Sequence, residues 1–151
     1  MPEAETTNFG TISFARESVF EFPRGLPGFE ERRQFLPVQN PLTAPILFLQ
    51  SLEDPALCFT TLPIWVVDPH YRLRVTEQDL EILGFPVDRQ PRIGEEVLCL
   101  AVLSIRKTGT TANLLAPVVV NLKGYKAVQA VSPEARYSHR RLLFPQEVAV
   151  C

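Results

Sequence analysis

Apolar residues gather most densely between positions 97 and 131. Residues 97–105 contain a single polar side chain, Ser104, and are rich in β-branched types. That pattern predicts a central strand buried on both faces. Residues 106–113 supply a polar turn containing Gly109, and residues 114–122 form a second apolar run. Lys123 and Gly124 then turn the chain into a third run, 125–131. The three runs predict an antiparallel meander. Pro117 has no N–H to give to a sheet ladder, so its strand is expected to be an edge there or to carry a bulge.

The remaining pattern is shorter and more broken. Residues 7–14 place Phe9, Ile12 and Phe14 among polar neighbours, a half-buried strand interrupted at Gly10. Residues 19–22 make a second short strand that runs into 23–30, a turn dense in proline and glycine that positions Leu26 and Phe29. Phe35 and Leu36 begin another strand. Residues 46–52 and 57–62 flank Glu53, Asp54 and Pro55 and read as a hairpin. After a turn at 68–71, residues 72–76 alternate like a strand with one face in solvent. One short helix is expected near 76–83, with Thr76 as its cap and Asp79 in the first turn, where the helix dipole favours a carboxylate. Leu80 and Leu83 share its inner face and Gly84 can stop it. A proline-bearing connector, 85–94, leads back to the central strand.

Fourteen prolines against seven glycines reinforce this reading, because prolines spread so widely interrupt helices repeatedly. The chain of 151 residues is 46% hydrophobic and 21% charged, which suits one globular domain rather than a disordered segment. Its core is expected over about 6–143, with a short mobile tail at each end. No apolar run reaches the length of a membrane span, and the acidic N-terminus does not resemble a secretory signal, so the expected address is the cytoplasm. Three widely spaced cysteines do not suggest a disulfide framework; Cys58 and Cys99 lie in apolar runs. The net charge of −2 hides an asymmetry. Residues 1–100 hold 15 acidic and 8 basic side chains, whereas residues 101–151 hold 2 and 7. An acidic surface of that kind attracts a basic partner.

Enzyme chemistry finds little support. His70 and His139 are the only histidines, and neither has a second ligand at metal-binding spacing. Phosphate-loop, dinucleotide and serine-hydrolase signatures are missing. No cofactor is expected. Glu53 and Asp54 are adjacent carboxylates, but turn chemistry before Pro55 accounts for them. Arg136, Arg140 and Arg141 with Tyr137 form a weak nucleic-acid signal. They supply an alternative reading, a direct RNA-binding β-barrel, and a small hydrolase or metal enzyme is a third. The residues by themselves describe a β-rich binding module.

Five spaced motifs, taken together, resemble the flagellar assembly factor FliW family. They are Thr7-x-Phe9-Gly10-x-Ile12; Phe22-Pro23-x-Gly25-Leu26-Pro27-Gly28-Phe29-Glu30; Leu49-Gln50-Ser51-x-Glu53-Asp54-Pro55-x-Leu57-x-Phe59; Pro63 and Tyr71 leading to Asp79-Leu80-Glu81; and Thr111-x-Asn113-Leu114-x-Ala116-Pro117 followed by Asn121. The resemblance implies a mostly β, single-domain, antiparallel β-barrel-like fold. It also implies a non-enzymatic cytoplasmic regulator of flagellar assembly. Such a regulator binds the translational repressor CsrA, relieving repression of flagellin mRNA, and alternatively binds flagellin; neither membrane nor direct nucleic-acid binding is implied. The chain departs from the family pattern at Ala127-Val128-Gln129, at Thr60, Thr61 and Trp65, and across 86–94. Most motif residues shape turns. The polar ones, Gln50, Glu53, Asp54, Asn113 and Asn121, are the candidate partner contacts, although Asn113 and Asn121 could equally satisfy backbone groups at strand ends.

Overall fold

A computed structural model describes residues 1–134 and 136–143. In chain order these form β1 (Glu3–Thr6), β2 (Gly10–Ser13), β3 (Phe20–Glu21), β4 (Gln34–Gln39), β5 (Leu47–Ser51), β6 (Cys58–Pro63), α1 (Ile64–Val67), α2 (Glu77–Leu83), β7 (Val97–Arg106), β8 (Gly109–Asn121), β9 (Ala127–Gln129) and β10 (Arg141–Leu143). β1 and β2 make a separate hairpin; the main antiparallel sheet runs β10-β8-β7-β6-β5-β4-β3, with β9 also paired to β8. The sheet curls nearly shut. Glu21 N–H donates to the Tyr125 carbonyl at 3.0 Å, and Glu21 bridges Lys126 in parallel, so β3 meets the turn after β8. The chain is therefore mostly β and barrel-like, as expected.

β7 explains how the layers are arranged. Its side chains alternate between two apolar clusters. Leu100 joins Phe20, Phe22, Phe35, Leu49, Val118 and Val120 inside the barrel. Val97, Cys99 and Ala101 face outward, but they are buried too, under Ile64, Tyr71, Leu73, Val75, Leu80 and Leu83. The long connection between β6 and β7 is thus an outer layer. A second outer cover is the β1–β2 hairpin, which lies over β5 and β6. Phe9 stacks on Phe48 with ring centroids 5.3 Å apart, and Thr7 N–H donates to the Pro55 carbonyl at 2.9 Å.

Helix α2 follows its capping signals. Thr76 accepts from the Asp79 N–H at 3.2 Å, and Gly84 ends the helix in the left-handed region. Arg24 pairs with the buried Asp79, tying the 23–30 loop to this helix. Pro117 also sits where its chemistry requires. The β7–β8 register jumps from Leu100 opposite Val118 to Val102 opposite Asn113, leaving residues 114–117 as a bulge across from Ala101.

Four features differ from the sequence expectation. Residues 3–6, ahead of the expected core, form β1, because Glu3 and Glu5 pair with Ser13 and Thr11 across the hairpin. Residues 64–67 close a helical turn, Asp68 N–H to Ile64 carbonyl at 2.9 Å, which swings the chain off the sheet after Pro63. Residues 72–76 alternate in burial but join no strand. Instead the Gln90 side-chain amide takes the neighbouring strand's place, accepting from Val75 N–H at 2.6 Å and donating to its carbonyl at 3.0 Å. Finally, the polar turn is tight: Arg106 lies opposite Gly109, and residues 109–113 already belong to β8. The C-terminal tail expectation concerns residues 144–151, outside the described residues.

The 23–30 loop depends on Gly25. Its φ is +64°, and a Cβ there would stand 2.5 Å from the Glu30 carbonyl oxygen. Gly28 has φ +83° with open space around it. Gly28→Ala is expected to cost about 1–2 kcal/mol, the left-handed penalty alone. Gly25→Ala is expected to cost at least about 1 kcal/mol more, because backbone must also move. Urea unfolding midpoints of the two variants check this; equal losses would contradict the close approach.

Candidate functional site

Three of the five polar candidates are gathered by one turn, residues 51–57. Gln50 is fully buried, and its Nε2 lies 3.0–3.4 Å from the carbonyls of Ser51, Asp54, Pro55 and Leu57. One amide thus adds a second donor to carbonyls of Asp54, Pro55 and Leu57 that backbone N–H groups already engage, drawing the turn in around it. Its Oε1 has no hydrogen-bond partner among the described residues. Asp54 accepts from Ala56 N–H at 3.0 Å. Glu53 accepts from the backbone N–H groups of Arg33 and Gln34, both at 3.0 Å, which fastens the turn to the start of β4.

The other two candidates lie apart. Asn113 accepts from the N–H groups of Leu115 and Ala116, each at 3.0 Å, and so satisfies the bulge. Asn121 donates to the Leu83 carbonyl at 2.7 Å and accepts from Lys123 N–H at 2.9 Å. It locks the end of α2 to the end of β8. All five residues therefore spend hydrogen bonds on the protein's own backbone, and Glu53 alone among them also borders an acidic groove.

That groove, about 600 Å³, opens between the β1–β2 hairpin, the segment 14–21 and the 52–55 turn. Glu3, Glu5, Glu17, Glu21 and Glu53 line it, with Arg16 and Lys126 as the basic side chains. The hairpin register sets its first wall: Glu5 accepts from Thr11 Oγ1 at 2.8 Å across the pair. Five carboxylates around one concavity make a local negative potential that the chain's overall charge of −2 does not reveal. Sequence reading recorded the acidic bias of residues 1–100 but not these positions. The Glu3-x-Glu5 alternation was the available signal, and the strand carrying it is polar on its outer face.

Elsewhere the site chemistry is sparse. Burial pushes the Cys99 thiol up to about 12, so at neutral pH it is no thiolate nucleophile. The Cys58 thiol is raised as well, chiefly by burial. Among the described residues, no three His, Cys, Asp or Glu side chains converge as metal ligands, and no helix is long and apolar enough to cross a membrane. The three arginines of the RNA-binding alternative do not share one surface. Arg136 is paired with Glu134 at 2.9 Å and stacked over Tyr137, while Arg140, in the turn before β10, borders the same hollow as Leu142 and Arg141 shares the opposite face with Leu143.

Comparison with known proteins gives one consistent result. A family model described as FliW protein matches residues 3–143. The flagellar assembly factor FliW of Pseudothermotoga lettingae is 35% identical over 142 residues, covering 91% of this chain and 85% of that protein. The flagellar assembly factor FliW of Thermosipho africanus is 31% identical over 140 residues, covering 91% and 92%. A crystal structure of the flagellar assembly factor FliW superposes with a TM-score of 0.82 at 30% identity, covering 97% of this chain and 99% of that one.

The hydrogen-bond pattern separates scaffold from groove. Glu53→Ala removes the acceptor for two backbone donors and is expected to lower stability by about 1–2 kcal/mol. Glu17→Gln touches no such partner and should leave it within about 0.5 kcal/mol. Paired urea titrations decide; an equal loss in both would place Glu17 in the scaffold too.

Proposed function

The chain belongs to the FliW family, and from that membership and the acidic groove we propose that it is a non-enzymatic cytoplasmic regulator of flagellar assembly that binds the translational repressor CsrA and, alternatively, flagellin. Capture of CsrA relieves repression of flagellin mRNA; capture of flagellin releases CsrA. The observation that carries the first half is the groove itself. A repressor that binds RNA presents basic surface, and five convergent carboxylates fit such a surface. Glu3, Glu5, Glu17 and Glu21 are the contacts, with Glu53 serving both the turn and the partner. Gln50 and Asp54 act by shaping the turn beneath the groove, Asn113 and Asn121 by fixing the bulge and α2. The separated arginines disfavour the RNA-binding alternative.

The test is isothermal titration with the host's CsrA at two salt concentrations. Saturable binding that weakens as salt rises is expected, since screening acts on exposed charges. Joint reversal of Glu5 and Glu17 to Lys should weaken it by about tenfold or more, mostly through slower association. Absence of any complex with CsrA at either salt concentration would sink the CsrA half of the reading. Salt-independent binding that ignores the double reversal would remove the groove from it.

A further inference from the structure

Beyond that reading, we propose that a second docking surface, on the outer face of β7, β8 and β10, takes an amphipathic helix carrying carboxylates beside its apolar stripe. Among the described residues the outer apolar layer is not fully covered. α1 and the segment 71–83 roof Val97, Cys99 and Ala101, but the same face of β7 continues through Leu103 to Ile105, which is 66% exposed. There a groove of about 340 Å³ lies between the β7–β8–β10 end and the 43–46 loop. Its walls include Ile46, Leu62, Val66, Leu103, Ile105 and Leu143 and, among the described residues, no charged side chain. Val66 is 48% exposed and Leu42, beside the loop, 92%. Apolar surface that continues a core yet stays open marks an interaction site rather than scattered exposure.

The charge around this groove selects the occupant. Arg141 shares the face of β10 that carries Leu143, two residues away. Lys107 stands at the hairpin tip just beyond Ile105, whereas Arg106 faces the other side of the ribbon, beside Arg140 and Leu142. Among the described residues neither Arg141 nor Lys107 forms an ion pair. An acidic rim on the partner would complement them, and like charges would be repelled. The walls are contributed by strand faces, by Val66 of α1 and by a loop, a broad apolar hollow rather than a narrow slot. A helix laying leucine-type anchors into the groove fits such a hollow.

Trp65, neighbour of Val66 and the chain's single tryptophan, gives a direct readout because it is half exposed. The probe is a synthetic peptide of roughly 18 residues, long enough to hold a helix, with leucines at helical spacing and glutamates flanking them. A second peptide replaces the glutamates with lysines. The full chain is titrated with each and Trp65 emission followed. Saturable binding of the glutamate peptide with a blue shift is expected, about tenfold or more weaker for the lysine peptide, for Ile105→Glu and for the joint Lys107→Glu and Arg141→Glu variant. The milder Ile105→Ser should weaken it in the same direction if Ile105→Glu disturbs folding. Equal binding of both peptides, or no dependence on Ile105, overturns the proposal. So does binding seen only after residues 144–151 are deleted, which makes the chain's own end the occupant. A concentration-dependent dimer abolished by Ile105→Glu overturns it in favour of a second copy. CsrA titrated against the same Ile105 variants should bind as before; failure of wild-type CsrA binding alone bears on the acidic groove and leaves this surface standing.

Discussion

A strand with no solvent face is the constraint from which the rest follows. Over Val97–Ala101, β7 presents apolar side chains in both directions, so each direction needs a layer. The curled sheet supplies one by enclosing Leu100 among Phe20, Phe22, Phe35 and Leu49. The connection between β6 and β7 supplies the other, and this is why it is long. It must cross the outside of the barrel, cover Cys99 and Ala101 with Tyr71, Leu73, Val75, Leu80 and Leu83, and return. Burial of each large apolar side chain contributes about 1.5–3 kcal/mol relative to exposure, so the outer layer is as much a core as the barrel interior.

Much of this was legible in the chain. The run 97–105 announced the two-faced strand, which holds over Val97–Ala101 while Ser104 and Ile105 emerge into solvent; Pro117 announced the irregularity beside it, and Thr76, Asp79 and Gly84 bounded α2 closely. Where legibility ended, the cause was a tertiary substitute for a local rule. Residues 72–76 carry strand alternation because one side rests on a core, yet the backbone partner is the Gln90 side chain, which no periodicity announces. The helical turn at Ile64–Val67 is β-branched and apolar, and only Pro63 and the need to leave the sheet bend it. β1 is masked by its charge, because a hairpin lying on the outside of a barrel can put glutamates on its free face.

The candidate residues teach a related lesson. Polar side chains fixed within otherwise apolar motifs invite a functional reading, and here Gln50, Asp54, Asn113 and Asn121 all hydrogen-bond to backbone groups of a turn, a bulge or a helix end. Glu53 does the same while standing at a groove. The groove's other carboxylates come from β1, from the segment before β3 and from β3 itself, three places far apart in pattern and each unremarkable alone. Charge counted by segment pointed in the right direction, but only the fold could bring those positions to one concavity. Basic residues collect at the opposite end of the chain, around the β7–β8 tip.

The bulge at 114–117 has a bearing on how this chain can change in length. The tip of the β7–β8 ribbon takes its pairing from the tight turn at Arg106 and Gly109, while the base takes its pairing from Val118 and Val120 inside the barrel. The bulge lets those two registers coexist. Strand faces alternate with a period of two, so gaining or losing one residue there would turn the tip over and exchange its greasy side for its polar one. A change of two would keep both sides in place. Insertions and deletions across related sequences should therefore be counted by parity at this point, and an odd change would need a matching odd change in the tip turn.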